Sequence, residues 1–155
     1  MVARGFSLIE LVVVLAVMAI LGSVAVPMAQ RVEQREKERA LRRALWEIRD
    51  AIDAHRAARE QGVIEGAAAS PYPPSLEALT VVQQDRRPGR AGQGLRFLRR
   101  VPRDPFADPA VPAALTWGLR SSASEADAPA PGADVYDVYS RSPRLGLDGV
   151  PLGQW

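Results

Sequence analysis

The residue whose chemistry stands out in this 155-residue sequence is Glu10, a carboxylate at the edge of a long apolar segment. Residues 11–29 carry no charged side chain. On membrane-insertion scales a carboxylate within such a segment costs about 2.5–3.5 kcal/mol, so it is usually retained for a function and has a partner. Breaking a buried ion pair costs about 3–5 kcal/mol. We therefore predict that Glu10 pairs with a cation.

The apolar segment is long enough to hold Glu10 in a membrane, since a spanning helix needs about 20 residues at about 1.5 Å each. Only five residues, 1–5, precede Phe6, and they carry one positive charge, on Arg4. This leader is too short for an ordinary secretory signal, and no small-x-small cleavage site follows the apolar segment. Arg4 favours a cytoplasmic N-terminus, but Arg31 and Arg35 follow on the other side, so charge counting does not fix the orientation.

Residues 4–10, Arg-Gly-Phe-Ser-Leu-Ile-Glu, resemble the class III signal of type IV pilins and type II secretion pseudopilins. The resemblance implies that a prepilin peptidase cuts after Gly5 and that the new N-terminal residue, Phe6, is N-methylated. It also implies that Glu10 pairs with the N-terminal amine of a neighbouring subunit. Pairing along one helix would be strained, so a partner from the next subunit is the natural solution. Our hypothesis is that Glu10 sets the subunit register in a filament.

Beyond residue 29 the pattern changes from uniformly apolar to amphipathic. Residues that recur at spacings of three and four form one helical face, namely Leu41, Leu45, Ile48, Ile52 and His55. We expect one continuous helix from Phe6 to about Glu60, whose second half lays this face on a small sheet. His55 is expected to be a packed core residue, because the sequence has no cysteine and no second histidine to share a metal.

Short strands are predicted after the helix. Residues 115–120 and 134–140 are β-prone runs, and the second alternates between two faces. With a first strand near Phe97, they would form a small antiparallel β-sheet of about three strands against the helix. Residues 72–79 and 99–106 also resemble segments of the major, G-type pseudopilins. The predicted fold class is α+β, and the resemblance implies the type IV pilin-like fold.

The tail, residues 140–155, resembles the C-terminal loop of the same pseudopilins, and in that family the loop binds calcium through several aspartates and main-chain carbonyls. Here Asp148 is the only acidic residue of the tail, and Arg141 and Arg144 are close in sequence. Calcium takes six to eight oxygen ligands and gains from their charge, so a calcium site with Asp148 as its carboxylate would be weak. The alternative is a loop shaped by Gly and Pro and pinned by packing of Trp155.

Residues 86–103 contain seven arginines, no acidic residue and one aromatic, Phe97. This run fits a nucleic-acid surface, a solvated loop, or a basic surface that faces an acidic patch on an adjacent subunit. A single aromatic offers no platform on which bases could stack, so we do not expect nucleic acid to be a partner.

No constellation for catalysis is present in the sequence, which has no Gly-rich phosphate loop, no suitably spaced Ser/His/Asp set and no metal cluster. Asp104 precedes Pro105, so we expect a turn there, with Phe106 as a core anchor. A catalytic role for Asp104 is not expected, because no base or nucleophile accompanies it. The sequence therefore indicates a protein that is not an enzyme and has no catalytic or cofactor-binding residues.

The resemblance implies three parts: a leader over residues 1–5, a transmembrane and filament-core helix over residues 6–29, and a periplasmic pilin-like domain over residues 30–155. It implies a single-pass protein of the bacterial inner membrane, processed by prepilin peptidase. Its partners would be copies of itself in a helical filament, other pseudopilins and the inner-membrane assembly platform. The expected function is that of a structural subunit in a type II secretion pseudopilus that helps to export folded proteins.

Two alternatives stay open. The first is a minor subunit of a type IV or competence pilus; the tail resemblance speaks against it, whereas the missing aspartates and the arginine run weaken that preference. The second is a membrane-anchored binding domain that never polymerises. Its signature would be no processing at Gly5 and no effect of changing Glu10.

Overall fold

The computed structural model describes residues 7–65, 70–90, 92–125 and 127–155, and at positions 24, 25 and 27 it describes the backbone alone. Within these residues one α-helix, α1, spans Leu8–Glu60. Four short strands follow it in the same described part: β1 Gln83–Gln84, β2 Gly94–Leu95, β3 Trp117–Arg120 and β4 Asp137–Ser140. Three 3₁₀ helices lie before, between and after the strands: Glu77–Thr80, Ala113–Thr116 and Leu152–Gln154.

The predicted α+β fold class, with a long N-terminal helix and small antiparallel sheets, is confirmed and is consistent with a type IV pilin-like fold. The helix ends where the sequence places its end, at Glu60. Gly62 follows in the left-handed region with a φ of 68°. Its N–H donates to the Arg59 carbonyl oxygen at 3.0 Å, and the Val63 N–H donates to the Ala58 carbonyl oxygen at 2.8 Å. A glycine takes this conformation without the steric cost of a Cβ, which is why the helix stops here.

The chain divides into two compact units, Met1–Glu36 and Lys37–Trp155. In the first unit, the large apolar side chains described between Leu8 and Val32 are 45–80 % exposed. This part of α1 is long and apolar enough to cross a membrane, by length and composition. An apolar surface of this extent needs cover by lipid or by other apolar side chains, because soluble monomers rarely expose large contiguous apolar patches.

The second unit is built around the predicted stripe of α1. Leu41, Leu45, Ile48 and Ile52 are at most 2 % exposed. They pack with buried side chains from the rest of the domain, namely Leu76, Leu79, Leu98, Trp117, Val135, Val138 and Leu152. Burial of each large apolar side chain is worth about 1.5–3 kcal/mol, so this stripe is a main source of the domain's stability.

The expectation of a single sheet of about three strands is wrong in detail, because the strands form two separate antiparallel pairs. β1 pairs with β2, and β3 pairs with β4 with Gly118 opposite Tyr139. The predicted strand near Phe97 does not join β3. The N–H groups of Phe97 and Leu98 both donate to the Leu79 carbonyl oxygen, at 3.2 and 2.9 Å, so these donors are not free to extend a ladder.

Candidate functional site

The residues predicted to be processed lie at the start of the chain. Gly5 and Phe6 fall outside the described residues. Glu10 is described; it lies in the first turn of α1 and its side chain is exposed. Within the described part of the chain, no hydrogen bond or ion pair involves the Glu10 carboxylate.

Glu10 is therefore an exposed carboxylate on the part of α1 where the neighbouring side chains are apolar. The neighbouring side chains of Ile9 and Leu11 are 72 % and 56 % exposed. In an apolar layer an ammonium group would form a charge-assisted hydrogen bond with this carboxylate, which is stronger than a neutral hydrogen bond. The arrangement can bind a cation.

A second set of polar contacts joins the C-terminal segment, defined here as residues 141–155, to one flank of α1. The Leu147 N–H donates to Glu38 Oε1 at 2.8 Å. The Arg42 guanidinium donates to Asp148 Oδ2 at 3.4 Å, and its central carbon lies 4.0 Å from the centre of the Trp155 ring. Glu38 and Arg42 are one helical turn apart, so they contact neighbouring residues of the segment, Leu147 and Asp148.

Arg49 continues this flank toward the C-terminal end of α1. Its Nε donates to Asp137 Oδ1 at 2.8 Å, and its Nη2 donates to the main-chain oxygens of Val138 at 3.1 Å and Trp155 at 2.9 Å. One guanidinium thus connects α1, β4 and the C-terminal segment. The rigid fork of donors in arginine suits such a multiple contact better than the single ammonium of lysine.

Local hydrogen bonds give the C-terminal segment its shape. The Gly146 N–H donates to the Val150 oxygen at 2.8 Å, and the Gly149 N–H donates to the Gly146 oxygen at 2.9 Å. Gly149 has a φ of 81°, which favours glycine at the turn. Leu152 is fully buried and Trp155 packs against the same core, so the predicted pinning of the loop by Trp155 is confirmed.

The donor set around Asp148 does not fit a calcium ion. Asp148 Oδ1 accepts the Val150 N–H at 3.0 Å, and Oδ2 faces the positive charge of Arg42. Among the described residues, no group of three or more His, Cys, Asp or Glu side chains is placed to hold a metal ion. A single carboxylate that already faces a guanidinium lacks the oxygen count and the negative charge that calcium requires.

The sequence pattern does not predict the contacts that Glu38, Arg42 and Arg49 make with the C-terminal segment. The amphipathic pattern assigns Arg42 and Arg49 to the polar face of the helix. A signal does exist, because positions 38, 42, 45 and 49 recur at spacings of four, three and four and therefore share one flank. The pattern does not reveal that a distant part of the chain covers this flank.

The arginine-rich run, residues 86–103, begins beside an acid that partly neutralises it. The Arg87 guanidinium donates to both oxygens of Asp85, and the Arg87 N–H donates to Oδ1 at 2.9 Å. Hydrogen bonds from the Arg87 side chain and then from its main chain lower the pKa of the Asp85 carboxyl to about 2. Arg96, Arg99 and Arg100 remain exposed.

The comparisons with known proteins bear on the N-terminal part of the chain. Residues 1–26 match the family model described as the prokaryotic N-terminal methylation motif. Neither a curated protein nor a solved structure matches the chain. The chain therefore carries a type IV pilin-like N-terminal signal, and its long apolar helix is consistent with a single-pass membrane-anchored protein.

Proposed function

We propose that this protein is a pseudopilin, a structural filament subunit of a type II protein secretion system rather than an enzyme. It is inserted in the bacterial inner membrane with its C-terminal domain in the periplasm. Prepilin peptidase cleaves it after Gly5, and Phe6 becomes the methylated N-terminal residue. It then assembles with copies of itself and other pseudopilins, on an inner-membrane platform, into a pseudopilus that helps to export folded proteins.

The observation that carries this proposal is the methylation motif over residues 1–26 on a helix that exposes its apolar surface. An apolar helix in a bundle of like helices covers the surface that the isolated chain leaves exposed. Glu10 is the single acidic residue between positions 1 and 32. The amine created by cleavage in a neighbouring subunit supplies the cation that this carboxylate needs.

Secretion is favoured over a pilus by the tail, residues 140–155, whose ending in Gly, a polar residue and Trp155 resembles that of G-type pseudopilins. Deletion of the gene distinguishes the two systems. Loss of secreted enzymes supports the secretion filament, whereas loss of twitching or DNA uptake with normal secretion supports the pilus instead.

The first test is the intact mass of the protein purified from its native membrane. A mass that corresponds to residues 6–155 plus one methyl group supports processing after Gly5 and methylation of Phe6. An unprocessed chain, in a cell with an active prepilin peptidase, would contradict the proposal and favour an anchored binding domain that does not polymerise.

The second test compares Glu10→Ala with Glu36→Ala, a control that removes another exposed carboxylate from the same helix. We expect Glu10→Ala to reduce the yield of sheared filaments at least about tenfold, because the loss of a buried ion pair exceeds 1.4 kcal/mol. Glu36→Ala should assemble like the parent. Equal filament yields from the two variants would remove Glu10 from the assembly mechanism.

A further inference from the structure

The oxygens that surround the Arg49 guanidinium are of the kinds that surround a metal ion in a protein. This guanidinium donates hydrogen bonds of 2.8–3.1 Å to one carboxylate oxygen, of Asp137, and to two main-chain oxygens, of Val138 and Trp155. Carboxylate and carbonyl oxygens are the ligands that hard cations such as calcium prefer. Here the positive charge at their centre belongs to the chain itself.

Arg42 adds a second positive charge to the same flank of α1. It lies 3.4 Å from Asp148 Oδ2 and stacks over the Trp155 ring at 4.0 Å. A divalent cation beside Asp148 would have to approach this guanidinium, and like charges at short range repel each other. Asp148, the acidic residue of the tail, is thus already paired with Arg42.

We propose that Arg49, assisted by Arg42, is a built-in cation that fastens the C-terminal segment to α1, so that the segment is held without a metal ion. The guanidinium supplies a positive charge that belongs to the chain, and its fork of donors reaches three oxygens at once. The fastening is therefore independent of divalent cations. It also does not depend on whether the chain assembles into a filament, because all its contacts lie within the unit Lys37–Trp155.

The test is hydrogen–deuterium exchange of the peptide that covers residues 141–155, measured on the full chain in detergent. We expect Arg49→Gln to accelerate exchange in this peptide at least about tenfold, because the segment opens more often once its anchor is removed. Arg49→Lys should give an intermediate rate, since it keeps the charge but loses the fork. Arg39→Gln is the matched control, as it removes one exposed positive charge from the same helix.

The wild-type chain is measured in the same way with excess calcium, with excess magnesium and with a chelator. Identical exchange rates and an identical thermal midpoint under the three conditions are expected. Slower exchange or a higher midpoint in calcium than in magnesium would overturn the proposal. Exchange in Arg49→Gln equal to that in Arg39→Gln would also overturn it. If Arg49→Gln does not fold, the calcium comparison on the wild-type chain and the Arg49→Lys rate decide the question.

Discussion

The Ser140 hydroxyl donates a hydrogen bond of 2.5 Å to Asp104 Oδ2, which ties together two residues that are 36 positions apart. Both are nearly inaccessible, at 2 % and 1 % exposure. The other carboxylate oxygen, Oδ1, accepts the Phe106 N–H at 2.8 Å. The predicted turn at Asp104 is thus confirmed, and its carboxylate also fixes the end of β4.

Asp104→Ala should lower the free energy of unfolding by about 2–4 kcal/mol, because it leaves the buried Ser140 hydroxyl and the half-buried Phe106 N–H without their acceptor. Asp108→Ala is the control, since Asp108 makes a similar bond to the Ala110 N–H at 2.8 Å but is exposed. Its cost should stay below about 1 kcal/mol. Urea unfolding followed by tryptophan fluorescence measures both variants. A similar loss in the two variants would show that the link to Ser140 adds nothing.

Asp134 should make the domain sensitive to strong acid. Burial alone would raise the pKa of this carboxyl, but hydrogen bonds from Ser122, Ser70 and Ser121 outweigh burial and lower the pKa to about 2. The Ser121 hydroxyl and the Ser122 N–H donate at 2.7 and 2.9 Å. Because the pKa in the folded state lies below the ordinary value of 3.8, this contribution is present above pH 4 and is lost as the pH falls through 2.

The measurement is the urea midpoint of the wild type and of Asp134→Asn from pH 7 to pH 2. The wild type should lose about 2 kcal/mol more than the variant between pH 4 and pH 2. Asp85, whose pKa is also lowered to about 2, titrates in the same range in both proteins, so the comparison cancels its effect. Parallel pH profiles for the two proteins would contradict the assignment.

His55 should titrate below the ordinary histidine range. Burial lowers its pKa below 6.5, the contact of Nδ1 with the Pro71 carbonyl oxygen at 3.2 Å acts in the opposite direction, and the charge of Arg59 lowers it further. The imidazole also packs edge-on against Phe97, with ring centres 5.3 Å apart. The folded state therefore disfavours the protonated ring, and stability should decrease as the pH falls below 6.5.

This histidine is the only one in the sequence, so its proton resonances in an NMR titration report one site. We expect a pKa below 6.5 in the folded chain and an ordinary value in urea. A folded-state pKa at or above the urea value would show that the ring is not desolvated as the structure has it.

A side chain at position 118, in place of Gly118, should destabilise the domain. It lies opposite Tyr139 in the β3–β4 pair, and a Cβ on Gly118 would come within 2.3 Å of the tyrosine ring. Gly118→Ala must therefore displace the ring, at a cost of about 1–3 kcal/mol in the free energy of unfolding. In a Tyr139→Ala background the ring is gone, and the added cost of Gly118→Ala should fall below about 1 kcal/mol. An unchanged cost in that background would mean that the strain has another source.

The helical half of the fold could be predicted from the sequence because it depends on local periodicity. An uninterrupted apolar run, a following stripe at spacings of three and four, and Gly62 after the last turn are enough to define the course of α1 and the buried position of His55. The N-terminal signal is local too, since the residues that carry it are contiguous. The match of residues 1–26 to the N-terminal methylation motif agrees with this prediction of the signal.

The pairing of the strands and the contacts between α1 and the C-terminal segment depend instead on residues that are distant in sequence. Arg49 meets partners 88, 89 and 106 positions away, and Glu38 meets Leu147 across 109 positions. No periodicity encodes such pairs, because a polar helix flank looks the same whether water or another segment covers it. The sequence therefore determined the course of α1 and its N-terminal signal. Only the tertiary structure decided which charged side chains of that helix bind the rest of the domain.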